Sequence, residues 1–349
     1  MKKLFFIAAI ASVAFAGCTK NDPAPSVTQQ DEITFLAPVV SPQTKAQYGE
    51  IGVNYDENEH FGVYAVHTSA ALATWGAGTL YMGTAGVGLE CLKNGGENYW
   101  APATPYYWPK EGFLSFAAYS PFGVSGTVSY DGSGLKVLEH KVSTDTDKHI
   151  DFMYAPRVYN RNSSTEEGDD DDSKYKYDGV NILFEHAMSS IVIKVAKKDD
   201  LDANTKITLN EITITKPYMT ADFKENVTDG ATYTAAPAWS NWKDATDIVT
   251  YATPEDLTTT LTEYVKNGDD DVILIPQTLT DDVKIVLDYD ITTPGSHKIN
   301  QVSDIQLNAH TPSWGMGTRY IYSITIDLDE IIFDPAVTTW DETGTTVTF

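Results

Sequence analysis

The chain has 349 residues, 42% of them hydrophobic and 11% aromatic, with 24 basic against 49 acidic side chains and a formal net charge of −25. So acidic a surface lacks the basic footprint that nucleic acid needs and gains nothing from anionic lipid. Its plain consequence is solubility through self-repulsion.

The first 17 residues read as a processing segment and stand outside the fold: Lys2 and Lys3, an apolar run from Leu4 to Phe15, then Ala16-Gly17 before Cys18. The run is too short to span a bilayer as a helix. The pattern looks like a bacterial lipoprotein signal. Cleavage before Cys18 leaves that residue to carry diacylglycerol and a further acyl chain such as palmitate, the multiple acylation that stable anchoring requires. With Cys18 acylated, the other cysteine, Cys91, has no disulfide partner. Lacking a nearby cysteine or histidine, it is expected to be buried and inert.

Residues 18–30 are dominated by Asn, Asp, Pro, Ser, Thr and Gln, a composition that does not repay the entropy of ordering, and are expected to be a tether. Ile33 to Val40 is β-rich and stops at Pro42. Short β-type runs then recur between turn residues: 61–66, 112–119, and 128–130 with 135–138 around the turn Asp131-Gly132-Ser133-Gly134. Residues 160–176, with the acidic run Asp169 to Asp172, carry the strongest linker signal. A second series follows at 180–184, 191–195, 207–214, 272–275, 283–289, 320–328 and 331–333, several of them alternating as half-buried antiparallel strands do. Thr253-Pro254-Glu255-Asp256 ahead of Leu257, Leu261, Tyr264 and Val265 predicts one helix, with a cap, Pro at the first position and acids in the first turn. The class is mostly β, two sandwiches joined near the acidic loop.

Chemistry-bearing constellations are scarce. No two of the seven histidines lie at metal-ligand spacing, and neither a Gly-x-Ser-x-Gly elbow nor a phosphate-binding glycine loop occurs. His186 reads as a packed, hydrogen-bonded residue. The acidic clusters at 169–172, 269–271 and 281–282 sit in turn-like contexts and none fits a 12-residue calcium loop. No cofactor, metal or catalytic residue is expected, and the chain is read as no enzyme. Among seven tryptophans, Trp239 and Trp242 are the best candidate glycan contacts, since an exposed indole stacks on sugar rings.

Ile33-Thr34-Phe35 leading to Thr44-Lys45-Ala46 resembles the opening of the fimbrillin (Mfa-like) proteins of Bacteroidia. Phe61-Gly62-Val63-Tyr64, Tyr107-Trp108-Pro109, Leu114-Ser115-Phe116, Tyr119-Ser120-Pro121 and Asp151-Phe152-Met153-Tyr154-Ala155 continue the match. So do Phe184-Glu185-His186-Ala187-Met188-Ser189-Ser190-Ile191, Ile273-Leu274-Ile275-Pro276-Gln277 and the stretch from Ile332-Phe333 to Trp340, in that order.

The resemblance implies a FimA-like pilin subunit of two tandem antiparallel β-sandwich domains, at 31–178 and 179–349, with Greek-key-like, transthyretin-like topology. It implies a lipid-anchored outer-membrane precursor that a trypsin-like protease cuts between Lys45 and Ala46, where Lys45 stands in place of the family's usual arginine. Loss of the first strand, with Ile33, Phe35 and Val39, leaves a groove that another subunit's terminal strand fills. Here that donor is the stretch with Trp340, Val347 and Phe349. Expected partners are other pilin subunits, the protease and, before processing, membrane lipid. The expected destination is a surface fimbrium for adhesion, as stalk or tip. The competing reading is a monomeric surface lipoprotein that binds glycans through Trp239 and Trp242.

Overall fold

The computed structural model describes residues 32–36, 39–40, 60–71, 74–93, 99–163, 179–228, 234–264, 271–295, 299–328, 331–339 and 347–348. Among them the only helical segments are two single 3-10 turns, Trp75–Ala77 and Thr146–Lys148; the remaining regular structure is β. The fold is mostly β, with sheets packed as sandwiches and not closed into a barrel.

Four sheets carry the described residues. The largest orders its strands Phe35–Leu36, Tyr99–Pro102, Leu89–Lys93, Phe61–Thr68, Phe113–Ser120, Met153–Arg161, Leu183–His186 and Val39–Val40, with Thr79–Met82 beside Phe61–Thr68. A six-stranded sheet runs Thr262–Glu263, Ser189–Lys197, Thr318–Ile326, Ile331–Thr339, Val347–Thr348, with Val272–Leu274 also on Ser189–Lys197. A five-stranded sheet is built on Lys206–Ile214 and Lys284–Thr292 and edged by Ile299–Gln306. Ile191, Ile193 and Ile324 of the six-stranded sheet share one buried cluster with Ile207, Leu209 and Leu287 of the five-stranded one. Among the described residues pairing is antiparallel except where Ser189–Lys197 runs beside Thr318–Ile326, Leu183–His186 beside Val39–Val40, and at the single Phe35–Val180 bridge.

Strand Lys206–Ile214 shows how the pattern forms the sheet. Ile207 and Leu209 are buried, then Ile212 and Ile214, so the buried parity switches in mid-strand. A bulge between Leu209 and Glu211 absorbs the extra residue and keeps all four side chains on the core face. Asn210, at the switch, donates its side-chain amide to Asp288 and Asp290 at 3.0 and 2.9 Å.

The expected hairpin forms, Thr127–Asp131 pairing with Gly134–Lys141. Asp131 Oδ1 accepts from the Ser133 amide at 2.8 Å, and Gly134 takes φ +96°, where a Cβ would strike Glu225. This hairpin extends into a four-stranded sheet with Tyr218–Lys224 and Ala238–Ala245, so strands from both sides of residue 178 share one ladder.

The helix predicted from Thr253 does not form. Glu255–Asp256 pairs with Leu209 and Thr208, and Thr262–Glu263 pairs with Val195 and Lys194. The backbone donors of Leu257 and Tyr264 go to Ile207 and Ile193 carbonyls at 2.8 and 3.0 Å. Leu257 and Tyr264 bury their side chains, while Leu261 is 43% exposed. The Thr258-Thr259-Thr260 run has weak helical propensity, and neighbouring sheet edges offered those amides a better partner.

Candidate functional site

Residues 32–36 and 39–40 lie between two edges of the largest sheet. On one side Phe35 and Leu36 oppose Trp100 and Tyr99, Glu32 bridges Tyr107, and the Ile33 amide donates to the Tyr106 carbonyl at 2.7 Å. On the other side Phe35 bridges Val180, the Val180 amide donates to the Thr34 carbonyl at 2.8 Å, and Val39 and Val40 run parallel to Leu183 and Phe184. One short segment thus satisfies backbone groups on two separate edges.

The side chains of Ile33 and Phe35 are equally committed. Ile33 and Phe35, two apart on one face, are both fully buried. They belong to a cluster with Phe61, Val63, Cys91, Trp100, Trp108, Phe116 and Phe184, distinct from the larger core. Phe35 meets Phe116 edge-on, with ring centroids 5.7 Å apart and planes at 85°. Thr34 is held between, 9% exposed, and Gly179 passes so close that a Cβ there would lie 3.0 Å from both the Thr34 carbonyl and hydroxyl oxygens. Burial of each large side chain is worth about 1.5–3 kcal/mol, and each ladder hydrogen bond about 0.5–1.5 kcal/mol net.

At the chain's other end, Val347 and Thr348 pair with Val337 and Ala336 and form the outer edge of the six-stranded sheet. Cys18, Lys45, Ala46, Trp340 and Phe349, with the acidic run 169–172, lie outside the described residues.

Trp239 and Trp242 are separated by burial. Trp239 is 6% exposed, donates its indole N–H to the Ala187 carbonyl at 2.7 Å and packs against Phe152, Phe223 and His140. Trp242 is 41% exposed and donates to the Pro276 carbonyl at 2.9 Å. His186, at a strand end, is paired through Nδ1 with Asp151. His140 is buried against Phe152 and Trp239, and that burial pushes its imidazole down to about 4. Cys91 is buried, and desolvation raises its thiol well above the ordinary range, so a thiolate is disfavoured. Asp271 accepts from Arg319 at 2.7 Å and from Ser190. Among the described residues no group of three His, Cys, Asp or Glu side chains is placed to hold a metal.

Sequence reasoning singled out Ile33 and Phe35 but not the residues that receive them. Trp100 and Gly179 carry no local signal, because their roles arise only when distant strands are brought alongside the segment.

By fold the chain is a mostly β protein of packed, unclosed sheets. It shares the architecture of a fimbrial protein from Bacteroides vulgatus at 18% identity, with 88% of this chain and 99% of that one covered and a TM-score of 0.59. A candidate cell adhesion protein from Bacteroides ovatus is similar at 15% identity, 90% and 99% coverage and a TM-score of 0.50. The chain belongs to the fimbrillin-like family, whose model matches residues 44–340. That family comprises fimbrial and adhesion proteins rather than enzymes. No curated protein matches the chain.

Proposed function

We propose that this chain is a fimbrial subunit, stalk or tip, that assembles with other pilin subunits by exchanging its first β segment. In this reading the precursor is exported as a lipoprotein acylated on Cys18 and held at the outer membrane. A trypsin-like protease cuts between Lys45 and Ala46 and releases the lipid with the segment that carries Ile33, Phe35 and Val39. A strand from another subunit, here the stretch with Trp340, Val347 and Phe349, then takes the vacated place, and the growing fibre serves adhesion at the cell surface.

The observation that supports this most is that Ile33 and Phe35 are fully buried on a segment flanked by two different sheet edges. Losing it exposes two rows of unpaired amides and carbonyls together with an apolar slot, a state that strongly favours gaining a strand. Donor-strand complementation is such an addition, with main-chain bonds for affinity and alternate side chains for specificity.

Replacing Lys45 by Ala tests the processing step. The parent chain, treated with a trypsin-type protease, should lose the residues before Ala46 and form SDS-resistant multimers. Lys45→Ala should stay uncut there and monomeric. Equal multimer formation by both would remove Lys45 from the account.

A further inference from the structure

The strand Ile299–Gln306 forms one side of the five-stranded sheet, and among the described residues no strand pairs with its outer edge. Its eight residues run in register with Lys284–Thr292 from end to end, without a bulge. The strand has no Pro, Lys or Arg, and its one charged side chain, Asp304, is met by Lys284 at 3.1 Å. Ile299 and Val302 are 52% and 59% exposed. Proteins blunt such edges with basic side chains, Pro or bulges, and this chain does so elsewhere. The edge strand Ala238–Ala245 is bulged opposite Thr220 and Asp222, holds Asn241 and Asp244 at φ +56° and +62°, and carries Lys243. The edge at 299–306 has none of these protections.

We infer that Ile299–Gln306 is a docking edge for a second copy of this chain, the two strands pairing antiparallel about Val302. The strand is complementary to itself in that arrangement. Val302 faces its counterpart on the solvent side, and to either side Asn300 faces Asp304, an amide against a carboxylate with no like charges opposed. On the core side Gln301 faces Ser303, and Ile299 comes opposite Ile305, which is 7% exposed. The bare Ile299 side chain is thereby covered by the margin of the other copy's core.

Other registers lose this match. A slip by one residue turns one copy's core face toward the other's solvent face. A slip by two sets Val302 against Asn300 or Asp304, and a slip by four can set Asp304 against itself. Two chains of net charge −25 repel over most of their surface, and this edge is where charge is sparse. One strand inward, Asp288 and Asp290 are both hydrogen-bonded by Asn210 and Asn300. Residues 299–306 and 32–36 belong to different sheets, so this contact does not depend on strand exchange. It joins subunits side by side through main-chain pairing. It is reversible and SDS-labile, so an uncut chain still runs as a monomer on an SDS gel.

Sedimentation velocity of the full, uncut chain over a concentration series tests the pairing, because strand exchange contributes nothing without protease. A reversible dimer is expected, strengthened by added salt, which screens the repulsion between two acidic copies. Val302→Lys should weaken it roughly tenfold or more, with thermal unfolding unchanged because residue 302 is exposed. The added cation lowers the net negative charge, so general repulsion does not account for that loss. Opposed residues bring their Cβ atoms about 4.5–5.5 Å apart, near disulfide geometry. Val302→Cys should therefore give, on mild oxidation, a covalent dimer whose link maps by mass spectrometry to position 302 of both copies. A chain that stays monomeric at every concentration and salt would overturn the inference. So would equal association by Val302→Lys, or links from 302 to any other strand, the terminal strand of another copy included.

Discussion

Phe35 meets Phe61 edge-on, with ring centroids 5.6 Å apart and planes at 87°, and both side chains are fully buried. One ring belongs to the first β segment and the other to the strand Phe61–Thr68 in the middle of the largest sheet. Phe35→Ala removes the shared contact and leaves a cavity, which should cost about 3–5 kcal/mol. Equilibrium urea unfolding of the full chain measures it. A loss below about 1 kcal/mol would mean that the segment is not part of the core.

Gly179 and Gly295 offer a matched comparison. Both have φ near +80°, but a Cβ at 179 would press on Thr34 while one at 295 meets nothing within 4 Å. Gly295→Ala therefore pays only for its backbone conformation. Gly179→Ala adds a steric clash worth about 1–3 kcal/mol more. Thermal unfolding of the two variants side by side reports the closeness of the 179 backbone to the segment.

His140 makes stability depend on pH. Burial lowers its imidazole from 6.5 to about 4, although the Ser125 carbonyl on Nδ1 acts in the opposite direction. Between those values the unfolded chain binds more protons than the folded one, so stability rises with pH. The contribution is complete above pH 6.5 and is lost as pH falls toward 4, by up to about 3 kcal/mol. Unfolding curves from pH 7 to 4.5 should show this decline, and His140→Gln should lessen it, leaving the part of the same sign that His149, also lowered by burial, contributes.

The two tryptophans at 239 and 242 should separate cleanly. Trp239→Ala empties a buried aromatic cluster and should cost about 3–5 kcal/mol. Trp242→Ala removes a partly exposed ring and one hydrogen bond, about 1 kcal/mol. Carbohydrate affinity, measured by glycan array, should be unchanged in Trp242→Ala; its loss there would favour the glycan-binding reading.

Where burial alternates, the sequence already spelled out the strand. Lys206–Ile214 and Thr318–Ile326 are legible because one face is core and the other is not. Asp131-Gly132-Ser133-Gly134 is legible because a turn needs Asp and Gly for local reasons. Ile299–Gln306 escaped notice because it is an edge strand with Ile299 and Val302 exposed, so no periodic apolar signal exists. The stretch from Thr253 misled because its local helix signals lost to sheet edges supplied by distant residues. The site divides in the same way. Ile33 and Phe35 stand out as an isolated apolar alternation, whereas Tyr99–Pro102 and Gly179, which complete the slot, become its walls only through tertiary pairing.

Peptide mapping of multimers made from the protease-treated full chain tests strand exchange most directly. The account predicts that multimers lack the 32–40 segment, that monomers retain it, and that multimers resist unheated SDS. Multimers that still contain this segment, or a clipped chain that stays folded and monomeric, would contradict it.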